Sequence, residues 1–479
     1  MKHKILTAII TLASAFSSCN KIVDLSSPTM LPPDKFYNTE SDIKNAVTGI
    51  YGLLRTNYST YFQMGEMPSD NVETHFESEG SLGFWDKLTW TAHTTNFENI
   101  WINFYNTIGQ CNLVLSKLDR VTFSSAKKKA QYASELKFIR ALIYFELVHF
   151  FGEIPLVLDL VANDQQAFAL TRKPTKEVYA QIEKDLTEAE KGLPAVHTAA
   201  ADAGRATLTA AKALLGKVYL YQEKYEEAEA KLSEAEKDPN YGLMPNPGDA
   251  FSILNEHNRE VIFAVQYSRV LVGVGEGSSF AAWFLPEGSR LTTVSNSSAN
   301  LGTIDLYRLF KAGDRRKDLI GIWAKENTRD STDIYFYFYT KKFADNPPSS
   351  SDGENNWIVI RYADVLLLYA EALNEQGKTP EAIAQANKVR LRAGAAPLAL
   401  TLKKEEVRSS IKNERRLELC FEGHRWPDLV RWGDYLTVMK AFKEKYGVKA
   451  MLPNDYDKLF PIPNRERIIN PALTQNIGY

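Results

Sequence analysis

Near the C-terminal end, Glu414, Glu418 and Glu422 recur at helical spacing, and they constrain this chain more than any other feature. They lie in the run NERRLELCFEGHRWPDLVRWG, Asn413 to Gly433, where an apolar line begun by Val407 and Ile411 passes into carboxylates about one turn apart. Leu417, Cys420 and Phe421 give the same helix an apolar side. A buried column of like charge requires cations. Arg415, Arg416, Arg425 and Arg431 are close in sequence, and Arg361, Arg390 and Arg392 can arrive from an earlier hairpin. Gly423 suits a helix stop, and Pro427, after Trp426, fits the first turn of a second short helix carrying Asp428, Leu429, Val430 and Trp432. The motif therefore reads as an ion network locking helices together rather than as a catalytic site.

Upstream, apolar residues keep the helical period. Ser41 caps a first helix with Ile43, Val47, Ile50 and Leu54 on one side, and Ile100, Trp101, Phe104, Ile108, Cys111 and Leu115 form a broad face after Asn96. Tyr132 to Phe151 is strongly helical and ends at Gly152, and Glu177 to Leu193 supplies a partner. Ala206 to Ala235 carries LLGKVYLY, then Tyr225, Ala228 and Leu232, with Pro239 just beyond, which approaches the tetratricopeptide pattern. Arg361 to Gly394 repeats the idea, with Gly377 ending one helix and Thr379 and Pro380 starting the next.

Two stretches lose this period. Tyr61 to Thr95 gathers glycines and aromatics and reads as a long irregular segment of the kind that carries function. Tyr241 to Trp357 turns to Gly, Ser, Asn and aromatics with short strand-like runs. In IYFYFYTKK, Ile334, Phe336 and Phe338 alternate with Tyr335, Tyr337 and Tyr339, so a strand here shows rings on both faces, one of them exposed. In Leu301 to Asp318 a turn follows a helix, and Asp314 pairs with Arg315 or Arg316. The expected fold is mainly α: tetratricopeptide-like helical hairpins packed into one body, with a helical scaffold over 96–239 and 358–436. An irregular aromatic-rich lobe with short strands is inserted over 241–357.

At the other end, Lys2 and Lys4 precede an apolar run from Ile5 to Phe16, the length of a signal-peptide core. Ser17 and Ser18 before Cys19 resemble the cleavage box of bacterial lipoproteins. We expect a signal peptide over 1–18, lipidation of Cys19, a tether over 19–40 and one domain over 41–479. A formal net charge of -2 offers no field for nucleic acid. Cys111 and Cys420 sit among apolar residues as buried thiols, a disulfide between them remaining open. Histidines and cysteines never cluster at zinc spacing, no glycine-rich phosphate cradle occurs, and GVGEG, Gly273 to Gly277, reads as a loop. Carboxylate pairs such as Glu66 with Asp70 or Glu77 with Asp86 predict no glycosidase spacing. Neither enzyme activity nor a cofactor is expected.

The 413–433 run resembles the C-terminal signature of the SusD/RagB family of outer-membrane lipoproteins. RYADVLLLYAEALNEQG, Arg361 to Gly377, and ANKVRLRAG, Ala386 to Gly394, resemble the family's preceding hairpin, and WINFYNTIGQCN another of its signatures. The resemblance implies a lipoprotein, anchored at the cell outer membrane and facing outward, that captures glycan on an arc of aromatic rings and caps a SusC-like TonB-dependent β-barrel transporter as a lid. Flat rings with polar tips suit sugar rings. Matching candidates are Asn71, Trp85, Trp90 and Asn96 in the first irregular stretch and Tyr267, Arg269, Trp283 and Arg290 in the second, with Trp85, Trp90 and Trp283 foremost. A RagB-like peptide-binding lipoprotein and a tetratricopeptide scaffold that binds only protein are the alternatives.

Overall fold

The computed structural model describes residues 36–74, 79–161, 163–269, 275–326, 334–446 and 452–479. The signal peptide, Cys19 and most of the tether lie outside these residues, as do Glu77, Gly273 and Val274.

The scaffold is a succession of helices, Glu40–Tyr58, Thr95–Lys117, Ala126–Phe151, Thr175–Glu190, Leu208–Tyr221 and Tyr225–Glu236, each packed on the one before or after it. The chain then leaves for more than a hundred residues and returns as Tyr362–Glu375, which packs directly on Tyr225–Glu236 and is followed by Thr379–Arg392 and Lys404–Glu418. The excursion therefore does not interrupt the helical stack. Local chemistry explains the tetratricopeptide-like hairpins. At Gly216 an added Cβ would stand 2.6 Å from Cγ of Leu232, so the small residue sets how closely Leu208–Tyr221 and Tyr225–Glu236 approach. Gly377, at φ +80°, takes the left-handed turn between Tyr362–Glu375 and Thr379–Arg392. The Ala126–Phe151 helix is buried on nearly every side along its second half, which makes it the centre of the body. None of the helices among the described residues is long and apolar enough to cross a membrane.

Eight short strands among the described residues decorate this body: β1 (Val72–Glu73), β2 (Ile154–Pro155), β3 (Arg172–Lys173), β4 (Val261–Val265), β5 (Leu301–Gly302), β6 (Ile320–Glu326), β7 (Ile334–Thr340) and β8 (Trp357–Arg361). They form an antiparallel sheet in the order β1-β5-β7-β6 and the pairs β2-β3 and β4-β8.

Three sequence expectations change. The first helix is capped by Thr39, not Ser41: the Thr39 hydroxyl accepts from the Asp42 amide, and the Asp42 carboxylate accepts from the Thr39 amide. The 61–95 stretch is not irregular throughout. It holds the helices Tyr61–Gly65 and Glu79–Lys87, and its aromatics Phe62, Trp85 and Trp90 are buried. The two tryptophans are drawn inward by Phe460, from the proline-rich 452–462 segment, whose ring lies 5.5 Å from Trp85, 5.2 Å from Trp90 and 5.0 Å from Phe97. Finally, the helix bearing the glutamate column ends at Glu418, and Glu422 follows on a turn. Cys111 and Cys420 are buried free thiols.

Candidate functional site

Past Glu418 the chain reverses through Phe421 at φ +68° and Gly423 at φ +77°. A buried carboxylate from the other end of the sequence holds this turn: Glu66 accepts from the Phe421 amide at 2.9 Å and the Gly423 amide at 3.0 Å. Burial pushes the Glu66 carboxyl up to about 7, although those amides and Asn71 donate to it. Gly65 and Gly423 meet backbone to backbone, since a Cβ on Gly65 would stand 2.2 Å from the Gly423 carbonyl oxygen.

The turn delivers three glutamates to one set of cations. Glu414 receives Arg316 at 2.5 Å and Arg390 at 2.6 Å. Glu418 receives Arg392 at 2.5 Å, Arg361 at 2.7 Å and Arg316 at 3.1 Å. Glu422 receives Arg361 and Lys342, each at 2.6 Å. Burial alone pushes the Glu418 carboxyl up, but Arg392, Arg361 and Arg316 more than reverse this and hold it below the ordinary range. The sequence-adjacent arginines serve other acids. Arg415 binds Asp364 and Asp428, Arg425 binds Asp70, and Arg431 binds Glu371 and Asp428. Arg416 reaches Asp70 and the Asn71 side-chain oxygen. Trp426 is buried, and Trp432 donates its indole N–H to Glu371 at 2.9 Å. Arg316 and Lys342 carried no sequence signal for this role, because both come from the inserted region. Every carboxylate of the column is occupied by cations, so the network braces helices and offers no free acid or base. Among the described residues no group of His, Cys, Asp and Glu side chains is disposed to hold a metal.

Half of the expected ligand residues prove to be interior. Trp85 is fully buried, Trp90 is buried with its indole N–H on the Tyr479 hydroxyl at 2.7 Å, and neither has a free face for a sugar. Asn71 is fully buried, donating to Glu66 and accepting from Arg416. Tyr267 packs on Phe280 and donates its hydroxyl to the Arg55 carbonyl at 2.8 Å. These four are corrected to core positions, because rings and amides from distant segments close over them. Asn96 is half-buried and donates to Gln63 at 3.0 Å. Trp283 is half-buried with its ring 6.1 Å from that of Phe62, and Arg269 pairs with Asp345 and Glu354. Arg290 is exposed at φ +56°.

A second set of rings, not singled out in the sequence as ligand contacts, forms a continuous aromatic row that reaches the surface at one end. Pairing of β6 with β7 sets Trp323 opposite Tyr337, Lys325 opposite Tyr335 and Gly321 opposite Tyr339, all on one face. Trp323 stacks on Tyr337 with centroids 5.4 Å apart at 26°. Gly321 has no side chain to obstruct Tyr339, whose ring occupies the space a Cβ would need. The expected division of β7 into a buried and an exposed face is not what forms. Exposure divides along the strand: Ile334, Tyr335 and Phe336 are exposed on both faces, and Tyr337 to Thr340 are buried. The inner half is covered because β5 pairs at Phe338 and Tyr307 stacks on it at 4.7 Å, while the outer half projects past β5. The result is a ladder of rings from buried Tyr339 and Tyr337 through half-buried Trp323 to Tyr335, which is 40% exposed.

Comparison with known proteins is consistent with this architecture. A family model described as the SusD family matches residues 322–479, and one described as starch-binding associating with outer membrane matches residues 21–220. SusD-like protein P25 of Formosa agariphila is 26% identical, with 100% of this chain and 99% of that protein covered. The starch-binding protein SusD of Bacteroides thetaiotaomicron is 23% identical, over 88% of this chain and 86% of that one. Among solved structures, a laminarin-binding SusD-like protein superposes with a TM-score of 0.79 at 27% identity, covering 92% of this chain and 100% of that one.

Proposed function

The chain belongs to the SusD/RagB family, and from that premise we propose that it captures an oligosaccharide or polysaccharide on the β6-β7 aromatic ladder. The observation that carries this reading is the exposed end of the ladder, where Trp323 and Tyr335 present rings on one side of a hairpin beside Lys325. Ring faces take the C–H faces of sugars, and polar tips answer hydroxyls. Trp283, Arg290, Arg269 and Asn96, half-buried or exposed, remain further candidates for ligand contact apart from the ladder. The starch-binding and laminarin-binding relatives support glycan over other ligand classes.

The test is an array of glycans and peptides followed by calorimetric titration of the retained ligand. Trp323→Ala and Tyr335→Ala should each weaken glycan binding by roughly tenfold or more, the scale of about 1–3 kcal/mol known for aromatic stacking on nucleobases, while thermal stability stays near that of the parent. Retention of peptides alone, or full affinity in both variants, overturns the assignment.

The same reading places the protein at the outer membrane, held by lipid on Cys19 and facing outward, where it hands glycan to a SusC-like TonB-dependent β-barrel. The outer-membrane association in the matched family description supports the location. Cys19→Ala should move the protein from the detergent-extracted membrane fraction to the soluble fraction without lowering its melting temperature, and gentle detergent purification of the parent should recover a much larger barrel subunit. A Cys19→Ala protein that still needs detergent would rule out the lipid anchor, and repeated recovery of the parent alone would count against delivery to a transporter.

A further inference from the structure

An apolar groove lies on elements that contribute nothing to the ladder. It encloses about 620 Å3 between the Thr95–Lys117 helix, the segment that follows β2, and the short helices Asp164–Phe168 and Asn464–Ile469. Ile102, Leu160, Val161, Phe168 and Ile469 stand 41–49% exposed along it. Contiguous apolar surface of this kind is seldom left uncovered on a soluble body. The charge lining the groove is one-sided: among the described residues Asp159 and Glu466 reach it, and no lysine or arginine does. Neither carboxylate has an ion pair among the described residues. Burial raises the Glu466 carboxyl above its ordinary value and Glu98 adds to this, with Arg465 opposing. The guanidinium of Arg172 is already committed, donating to the Glu153 carbonyl at 2.6 Å, to Thr474 at 3.2 Å and to Asn476.

We propose that this groove docks a segment of a partner protein that presents clustered apolar side chains together with a lysine or arginine. The wall takes the apolar side chains out of water, and the two carboxylates, neither in an ion pair among the described residues, select for a cation and against an acidic segment. An interface of this composition has an apolar centre with charge at its edge, and the charge sets register and specificity. The inference uses none of the ladder residues, so it stands or falls separately from glycan capture.

The probe is a random peptide library displayed on phage, panned on the full chain in detergent and counter-selected on the double variant Ile102→Asn with Phe168→Asn. Both positions are half-exposed, and a melting curve checks that the variant is folded. Enriched sequences should combine apolar residues with lysine or arginine. A synthetic peptide from that set should bind the parent at least tenfold more tightly than it binds Asp159→Asn with Glu466→Gln, a variant that keeps the groove's shape. Should the first variant not fold, the carboxylate variant serves for counter-selection as well. No enrichment on the parent over the variant, enrichment of peptides without a basic residue, or equal affinity for the carboxylate variant each overturns the proposal.

Discussion

Glu418→Ala should destabilise the protein by about 3–5 kcal/mol, because it strands guanidiniums that have no route to solvent. Arg361 is 1% exposed, and it, Arg392 and Arg316 all converge on the Glu418 carboxylate. Removing the shared anion leaves Glu414, Glu422 and Glu260 as partners, but none can fill the space Glu418 vacates. Urea or thermal unfolding of the purified variant measures the loss. The pH dependence has a definite sign. Since the cations hold the folded-state carboxyl below its ordinary value, its stabilising contribution is complete above that value and is lost as pH falls through the depressed one. The gap between parent and Glu418→Ala should therefore narrow once the pH drops below the ordinary 4.5. Glu98→Ala is the control: its partner Arg465 is largely exposed, and a surface pair of this kind contributes little to stability. A Glu418→Ala protein as stable as the parent would mean that the column does not brace the fold.

Trp85→Ala should cost a similar amount, about 3–5 kcal/mol, through cavity formation. Trp85 is fully buried, with ring centroids of Phe84 and Phe97 at 5.1 Å, Phe460 at 5.5 Å and Trp90 at 5.9 Å. These rings come from three separate parts of the chain and cannot collapse together without moving the Thr95–Lys117 helix or the C-terminal segment. The same substitution should leave glycan affinity per folded molecule unchanged. Trp323→Ala should behave in the opposite way, losing affinity and keeping stability. Unfolding curves and titrations on the two variants test this crossed pattern. Weakened binding by a stable Trp85→Ala protein would return that residue to the ligand surface.

These expectations separate what was written locally in the chain from what was not. The hairpins Leu208–Glu236 and Tyr362–Arg392 were legible because small residues at the close approach, Gly377 at φ > 0 and Pro380 in a first turn are short-range signals. The motif around Glu418 was legible for the same reason, together with the rule that buried acids need cations. Which cations answer was not. Arg316 lies 98 residues from Glu414 and Lys342 lies 80 residues from Glu422, while the nearby Arg415, Arg425 and Arg431 are turned to other carboxylates. Trp85 and Trp90 read as exposed because glycine-rich neighbours break the helical period, yet whether an aromatic is a platform or a core ring depends on what arrives above it. Here Phe460 and Tyr479, more than three hundred residues later, arrive and cover them. Trp323 gave no signal of its own; strand pairing alone places its ring beside Tyr337 and on the side of Tyr335. The sequence by itself determined the helices, their hairpins and the need for a buried ion network, since those follow from residues within a turn or two of one another. Only the tertiary structure decided which rings face water and which cation meets which acid, because both depend on contacts between segments whose separation in the chain carries no local trace.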